Sequence, residues 1–388
     1  MMKKKIAAAL CALLALSAAS CGNSISKLDP LNPIDREVAT IPPLTTTAAP
    51  ETTVPATETS APETGTENTE TSAVTPAETE TDTEPVTTET TLPPETVTAT
   101  ETTTERKVEM NPVPVDQSVI DASPVWFSDI TTVGNNEEFR ECVEELNKLV
   151  NSMGYKIGFA YQNMVTGVQI RYNATKRFPS CSTIKVPYCK SILENGVNLD
   201  EQVKIIKAWY DAEPEPGHLT GADIGKSYTV RELIFNACAL SDNTAYINLV
   251  EKYGRYVFNL YNQRIGANYA MPNGYYFTPL TPADLLVSYK DIYLYGETSE
   301  TGKWLCETMQ HSSFNKQIGA ALGDKYPVSH KYGTDCETNS YHDVAICYAD
   351  QPFVLAIMTD QVPETDKANK MFQDAAKVFD RLNSVIIK

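Results

Sequence analysis

The sequence has few of the residues that build metal and nucleic-acid sites. Only four His occur among its 388 residues, and none forms an HExxH motif or a close His pair. No two of the nine Cys have CxxC spacing, which argues against a zinc knuckle or a dithiol redox motif. Basic residues form no cluster beyond the first few positions, and the net charge is −18. We therefore expect no metal, no cofactor and no nucleic-acid partner.

The N-terminus has the pattern of a secretion signal. Three lysines precede an apolar run at residues 6–19, which is too short to span a bilayer comfortably. The run ends in A-A-S-C-G at residues 18–22, which resembles the bacterial lipobox, where the Cys becomes the lipidated first residue of the mature protein. The alternative is an ordinary secretory signal with an incidental cysteine. We predict a lipoprotein signal peptide at residues 1–20 and lipidation of Cys21.

Residues 21–107 are predicted to be a disordered stalk rich in Thr, Glu and Pro. Residues 41–104 contain 25 threonines and no aromatic residue, and residues 37–105 contain fourteen acids and no Lys or Arg. Such a segment buries too little apolar surface to offset its ordering entropy. As a flexible coil it spans about 50 Å, or at most about 270 Å as polyproline II. We expect export, with the stalk holding a domain in the cell-wall layer from an anchor on the outer face of the bacterial cytoplasmic membrane.

The pattern of the remaining part, residues 108–388, predicts one α+β domain. A helix with apolar residues three and four apart is expected to be capped near Asn135 and to end at Gly154, and a capping box at Thr229 opens another in a mainly helical middle. Strands are predicted at residues 155–162, 168–172, 327–332, 341–348 and 353–359. A closing helix follows at residues 364–385. We expect one antiparallel sheet drawn from both chain ends and flanked by helices, an all-helical lobe, and a site in the cleft between them.

One motif combines a nucleophile with its base. Ser182 and Lys185 form S-x-x-K, which is predicted to open a helix, so that the hydroxyl and the ammonium lie on neighbouring faces near free backbone N–H groups. An unactivated Ser needs a base, and a desolvated Lys can serve. The same pattern at Ser24 and at Ser313, the latter in a predicted surface helix, is interpreted as accidental. Only Ser182 is followed in order by S-D-N at residues 241–243 and K-Y-G-T at residues 331–334.

These motifs, in this order, resemble the signature of class A β-lactamases and penicillin-binding proteins. Class A is the nearer resemblance, because R-F-P at residues 177–179 and T-V-R-E-L at residues 229–233 also look like that family. The resemblance covers roughly Glu137 to the C-terminus. It implies a β-lactamase/transpeptidase-like fold and a monomeric serine hydrolase.

The resemblance also implies catalytic roles for three residues. Ser182 would be the acylated nucleophile, Lys185 its proton-relay partner, and Ser241 the group that passes a proton to the leaving nitrogen. Asp242 is interpreted as structural, holding the loop. The ordinary alternative is that these are polar residues of a retained fold.

The substrate-binding residues implied by the resemblance are Asn243, Lys331, Gly333 and Thr334. Asn243 would hold the substrate amide and Lys331 would attract the substrate carboxylate. The oxyanion hole would be formed by the backbone N–H groups of Ser182 and Thr334. Gly333 directly precedes Thr334 in the K-Y-G-T motif.

The sequence departs from the family where water is activated. Class A enzymes carry an E-x-x-L-N motif on an omega loop, but no Asp or Glu occurs here at residues 252–283. Losing a general base removes about 10² to 10⁴ in rate, so acylation is expected to be retained while deacylation slows. Tyr275 or Tyr276 could act as a base instead; packing of the loop is the favoured interpretation.

The carboxylate-binding region departs from the family as well. Tyr332 replaces the small Thr or Ser of the lysine strand, and Thr334 is a candidate to restore that hydroxyl. No Arg lies in the following strand, where His342 is either a partial substitute or a structural residue. Cys181 and Cys336 lie near positions that some class A carbapenemases bridge, which implies a possible disulfide; the alternative is two free thiols.

Three functions remain open from the sequence. The first is a class A β-lactamase-like hydrolase that forms an acyl-enzyme at Ser182 with β-lactams. The second is a peptidoglycan D-Ala-D-Ala peptidase or penicillin-binding protein acting on stem peptides, which would release D-alanine from a pentapeptide. The third is a non-catalytic β-lactam-sensing or wall-binding module, whose wall binding would survive Ser182→Ala.

Overall fold

The computed structural model describes residues 112–210 and 214–386. The predicted signal peptide, the lipidation site Cys21 and the predicted stalk lie outside the described residues. Within those residues, no helix combines the length and the apolar character needed to cross a bilayer.

Helices and strands follow the predicted order. The strands are β1 (Val113–Pro114), β2 (Trp126–Phe127), β3 (Thr132–Val133), β4 (Ile157–Asn163), β5 (Gln169–Tyr172), β6 (Gln202–Lys204), β7 (Ser227–Thr229), β8 (Val328–Asp335), β9 (Ser340–Cys347) and β10 (Phe353–Asp360). The helices are α1 (Gln117–Asp121), α2 (Asn136–Met153), α3 (Lys185–Glu194), α4 (Val230–Cys238), α5 (Asn243–Tyr253), α6 (Tyr256–Ile265), α7 (Pro282–Thr298), α8 (Glu300–Gln310), α9 (Ile318–Leu322) and α10 (Asp366–Val385). Short 3₁₀ helices lie at Gly154–Lys156, Cys181–Ile184 and Gly221–Asp223.

The main sheet has six strands in the order β2-β5-β4-β10-β9-β8, and every neighbouring pair is antiparallel. Strands from both ends of the described chain form it, so the predicted α+β class and sheet are confirmed. The pairs β1-β3 and β6-β7 form two small sheets. Because β8 is an edge strand, one side of its backbone faces away from β9 and toward the helical lobe.

The sheet separates two hydrophobic cores. Along β10, Val354, Ala356 and Met358 face the core of the helical lobe, whereas Leu355 and Ile357 face the core under α2 and α10. Side chains alternate between the faces of a strand, so a strand buried on both faces is apolar throughout. One face of the sheet therefore packs against the helical lobe, and the cleft lies where the edge of the sheet meets that lobe.

The helices that cover the outer face begin where the sequence predicts. The Asn135 side chain accepts hydrogen bonds from two backbone N–H groups at the start of α2, and the Thr365 side chain accepts one, from the Ala368 N–H, at the start of α10. Arg381 on α10 forms ion pairs with three glutamates of α2, at positions 138, 141 and 145. These contacts fasten the first long helix to the last one.

Candidate active site

Ser182 lies in the tight turn that leads into α3. Cys181 has a φ angle of 46°, and the 3₁₀ helix Cys181–Ile184 continues directly into α3 at Lys185. Thr183 closes the turn by donating its hydroxyl to the Ser180 carbonyl oxygen at 2.6 Å. Cys181, Thr183 and Lys185 are buried, whereas Ser182 is partly exposed. The turn thus presents Ser182 to the cleft.

Lys185 is fully buried directly below this turn. Its Nζ donates to the Ser241 carbonyl oxygen and lies 3.4 Å from the Ser241 hydroxyl. Burial lowers the pKa of Lys185 to about 7, while the nearby Asp242 carboxylate acts in the opposite direction. A large fraction of the amine is therefore unprotonated near neutral pH, as a general base requires.

Ser241 lies between two lysines. It follows α4 with a φ angle of 63°, and its Oγ accepts a hydrogen bond from the Lys331 Nζ at 2.8 Å. Asp242 accepts from the backbone N–H groups of Ala245 at 3.0 Å and Leu219 at 2.7 Å, so its carboxylate holds the loop. The structure brings the predicted pair Lys185 and Ser241 together with Lys331.

Asn243 is the first residue of α5. Its Oδ1 is buried and has no hydrogen-bond partner among the described residues. An unpaired buried acceptor is costly, and an N–H group of a ligand would satisfy it. This geometry is compatible with the predicted role of holding the substrate amide.

Edge strand β8 carries the last motif past the nucleophile turn. Gly333 lies so close to this turn that an added Cβ would come within 3.0 Å of the Cys181 Cβ and 3.1 Å of the Thr183 Cγ2. Lys331 on the same strand is fully buried; burial and the neighbouring Lys185 charge hold its pKa well below its usual range. Thr334 is partly exposed at the end of the motif. The strand and the nucleophile turn are therefore in direct contact at Gly333, beside Thr334.

The predicted disulfide between Cys181 and Cys336 is wrong. Cys181 is a buried free thiol, and burial raises the pKa of this thiol. Its side chain packs against Gly333 on β8. Cys336 comes three residues later, just after the end of this strand, in which each residue adds about 3.3 Å. Cys181 is therefore buried against β8 upstream of Cys336, and its thiol stays unpaired.

His342 does not replace the missing Arg. It is fully buried, with Nε2 donating to the Pro179 carbonyl oxygen at 2.8 Å and Nδ1 accepting from the Thr359 N–H at 3.1 Å. Burial lowers the pKa of His342 to about 4, so the ring is neutral at neutral pH. Of the two interpretations, the structural one holds.

Tyr276 packs the loop at residues 267–281. Its hydroxyl donates to Glu251 and accepts from the Lys207 Nζ at 2.7 Å, and its backbone carbonyl accepts from the Tyr246 hydroxyl at 2.7 Å. The neighbouring Tyr275 side chain is exposed. These contacts favour the packing interpretation for Tyr276.

An aromatic contact at this site was not predicted from the sequence. Phe314 stacks on Tyr332 with ring centroids 4.4 Å apart. The segment around Phe314 is an irregular connection between α8 and α9, so the predicted surface helix at Ser313 is wrong. No short motif marks such a tertiary contact, although the sequence does show a bulky Tyr332 at a position where the family has a small residue.

No group of three or more His, Cys, Asp or Glu side chains able to hold a metal ion occurs among residues 112–210 and 214–386.

Comparison with known proteins identifies the family of this chain. Residues 141–382 match the Beta-lactamase enzyme family, and because the match covers more than half of the sequence, the chain belongs to that family. It is similar to beta-lactamase Toho-1 of Escherichia coli, with 25% identity over 65% of this chain and 91% of Toho-1. Beta-lactamase CTX-M-97 of Escherichia coli is 26% identical over 62% of this chain and 87% of its own length.

Solved structures agree on the fold. The class A beta-lactamase from Mycobacterium abscessus superposes with a TM-score of 0.52 at 21% identity, covering 62% of this chain and 98% of that one. The protein is a class A β-lactamase-like serine hydrolase.

Proposed function

We propose that this chain forms an acyl-enzyme at Ser182 with β-lactams and hydrolyses it slowly. The observation that carries the proposal is Lys185, which is buried beneath the partly exposed Ser182 and has a pKa lowered to about 7. The β-lactamases to which the chain is similar support the substrate class.

The arrangement supports a complete proton path for acylation. Neutral Lys185 takes the proton of Ser182 as the Ser182 Oγ bonds to the carbonyl carbon. The backbone N–H groups of Ser182 and Thr334 stabilise the oxyanion. The C–N bond then breaks as Ser241 gives its proton to the leaving nitrogen, and the Lys185 ammonium formed in the first step reprotonates Ser241. In total, Ser182 loses one proton, the leaving nitrogen gains one, and Lys185 and Ser241 return to their starting states.

Deacylation is the slow step in this proposal. The loop at residues 267–281 contains no carboxylate to activate water, and the Tyr276 hydroxyl is engaged by Glu251 and Lys207. The same feature favours a second candidate, a D-Ala-D-Ala peptidase or transpeptidase. Release of D-alanine from a pentapeptide would support that candidate.

The test is intact mass over time after mixing the protein with excess benzylpenicillin. We expect a mass increase equal to one penicillin, followed by slow return of the free mass as penicilloate accumulates. Ser182→Ala should show no adduct, whereas Ser384→Ala, at an exposed serine of α10, should behave as the wild type.

Each outcome has a distinct meaning. An adduct that never decays would favour the peptidase or the sensing module over the hydrolase. No adduct on wild-type protein, or an adduct on Ser182→Ala, would overturn the proposal.

We also propose that the chain is exported and lipid-anchored through Cys21. Support comes from the three lysines, the apolar run at residues 6–19 and the lipobox-like sequence around Cys21. The Thr-rich segment at residues 41–104 would then separate the catalytic domain from the membrane.

A further inference from the structure

The ammonium of Lys331 has all of its donors engaged. Its Nζ donates to the Ser241 Oγ at 2.8 Å and to the Tyr332 carbonyl oxygen at 3.0 Å, and it lies 3.9 Å from the centroid of the Tyr332 ring. A lysine ammonium has three N–H donors, and an aromatic face attracts the cation. The two hydrogen bonds and the ring therefore leave no donor for a substrate carboxylate.

The Tyr332 ring lies over the Lys331 ammonium on β8, the edge strand of the sheet. Lys331 is completely buried, whereas Tyr332 is partly exposed. The ring thus forms the outer layer above the ammonium.

Phe314 holds the ring in this position. The two rings stack at 4.4 Å with an interplanar angle of 30°, and Phe314 in turn contacts Tyr341 edge-on at 6.4 Å. The backbone beside Phe314 is fixed by a hydrogen bond from the Ser313 N–H to the Ala239 carbonyl oxygen at 2.9 Å. Moving Tyr332 aside therefore requires breaking an aromatic stack.

The Tyr332 hydroxyl carries no charge at neutral pH. Burial raises the pKa of Tyr332 to about 12, and hydrogen bonding with Ser241 and Ser313 partly opposes this rise. The phenol is therefore neutral at physiological pH and adds no negative charge beside Lys331.

We propose that Tyr332, supported by Phe314, is a specificity-determining residue that closes the anion-binding position over Lys331. The site then disfavours acyl donors with a free carboxylate beside the scissile amide and accepts donors whose carboxylate is masked as an ester or amide. A carboxylate at this position loses its hydration without gaining a free donor of the Lys331 ammonium, whereas a neutral ester has far less hydration to lose and needs no ammonium. This inference rests on the proposed acylation of Ser182.

The experiment compares benzylpenicillin with its methyl ester on the full chain. The two compounds share the reacting ring and differ in the charge beside it. Second-order rate constants for acylation of Ser182 are measured by intact mass for the wild type, Tyr332→Thr, Tyr332→Phe and Phe314→Leu.

The expected result is a change in the ratio of the two rates. The wild type should favour the ester, and Tyr332→Thr should raise the rate with the free acid by about 10- to 100-fold, the gain from one hydrogen bond to a charged group. The ester rate should change by less than about threefold, within the usual context dependence of such contacts. Tyr332→Phe should keep the wild-type ratio because it keeps the ring, and Phe314→Leu should shift it in the direction of Tyr332→Thr. Phe314→Leu also keeps the test decisive if Tyr332→Thr does not fold.

Two results would overturn the inference while leaving acylation intact. One is a wild type that favours the free acid and loses this preference in Tyr332→Phe, because the phenol would then be a carboxylate donor. The other is a ratio that is equal in all variants. If neither compound acylates Ser182 in any variant, the proposed function fails and the inference fails with it.

Discussion

Cys181 and Ser241 adopt backbone conformations that their side chains disfavour. Their φ angles are 46° and 63°, and each such residue costs about 1–3 kcal/mol when it is not glycine. Cys181 directly precedes the nucleophile, and Ser241 bridges the two lysines. The surrounding packing therefore holds both turns in place, and with them the two serines that we propose to take part in acylation.

The pKa of Lys185 predicts the pH dependence of acylation. Burial lowers it to about 7, so below pH 7 the amine is protonated and cannot accept the Ser182 proton. The acylation rate should fall about tenfold per pH unit below 7 and level off above it. The methyl ester of benzylpenicillin is the suitable substrate, because Lys331 also has a lowered pKa and would affect binding of a carboxylate.

Two variants separate the base from general charge effects. Lys185→Arg, which stays protonated, should lose about 10² to 10⁴ in acylation rate. Lys377→Arg, at an exposed lysine of α10, should leave rate and profile unchanged. A rate that is flat between pH 5 and 9 would show that Lys185 is not the base.

At the scale of elements, the structure shows which sequence signals were sufficient. Caps at Asn135 and Thr229 and long apolar periods predicted α2, α4 and α10, because local hydrogen bonds and helix periodicity fix these elements. The two-residue strand β2 was missed, since alternation cannot be recognised in two residues. Side-chain direction is set by tertiary packing, so the Cys181 thiol and the Phe314 stack could not be predicted.

The loop at residues 267–281 allows a direct test of structure against catalysis. Tyr276→Phe removes the hydroxyl that bonds Glu251 and Lys207, and should lower the free energy of unfolding by about 1 kcal/mol or less at this partly exposed position. The rate of deacylation should not change, because packing is the role assigned to this side chain. Chemical denaturation and the decay of the penicillin adduct measure the two effects.

Tyr275→Phe is the matched control for this prediction. Tyr275 is exposed on the same loop, so this change should leave both stability and deacylation as in the wild type. A loss of more than tenfold in deacylation for Tyr276→Phe alone would instead identify Tyr276 as the base that activates water.

At the scale of the whole molecule, the site depends on both cores. The Ser182 turn leads into α3, which packs in the helical lobe, whereas Lys331 and Gly333 come from the edge of the sheet that also covers the second core. A sequence can specify each motif separately, but their meeting requires the register of β8 and β9. Three motifs in the right order were informative because the fold brings them to one cleft.

Anchoring is a property of the chain that is separate from this chemistry. Each buried CH₂ of a lipid chain contributes about 0.8 kcal/mol to membrane binding. A single acyl chain therefore binds only reversibly, and stable attachment takes a second chain or another membrane signal. Expressed in bacteria, the wild type should therefore appear in the membrane fraction and resist a salt wash. Cys21→Ala should move it to the soluble exported fraction, with the rate of acylation at Ser182 unchanged.

Cys11→Ala is the control that makes this test specific. Cys11 lies inside the apolar run at residues 6–19, upstream of the lipobox-like sequence, so its removal should leave the protein in the membrane fraction. Mass spectrometry of the N-terminal peptide should find lipid on Cys21 in both the wild type and Cys11→Ala. Membrane retention of Cys21→Ala would contradict anchoring at Cys21, because a lipid on this thiol is the only attachment that the substitution removes.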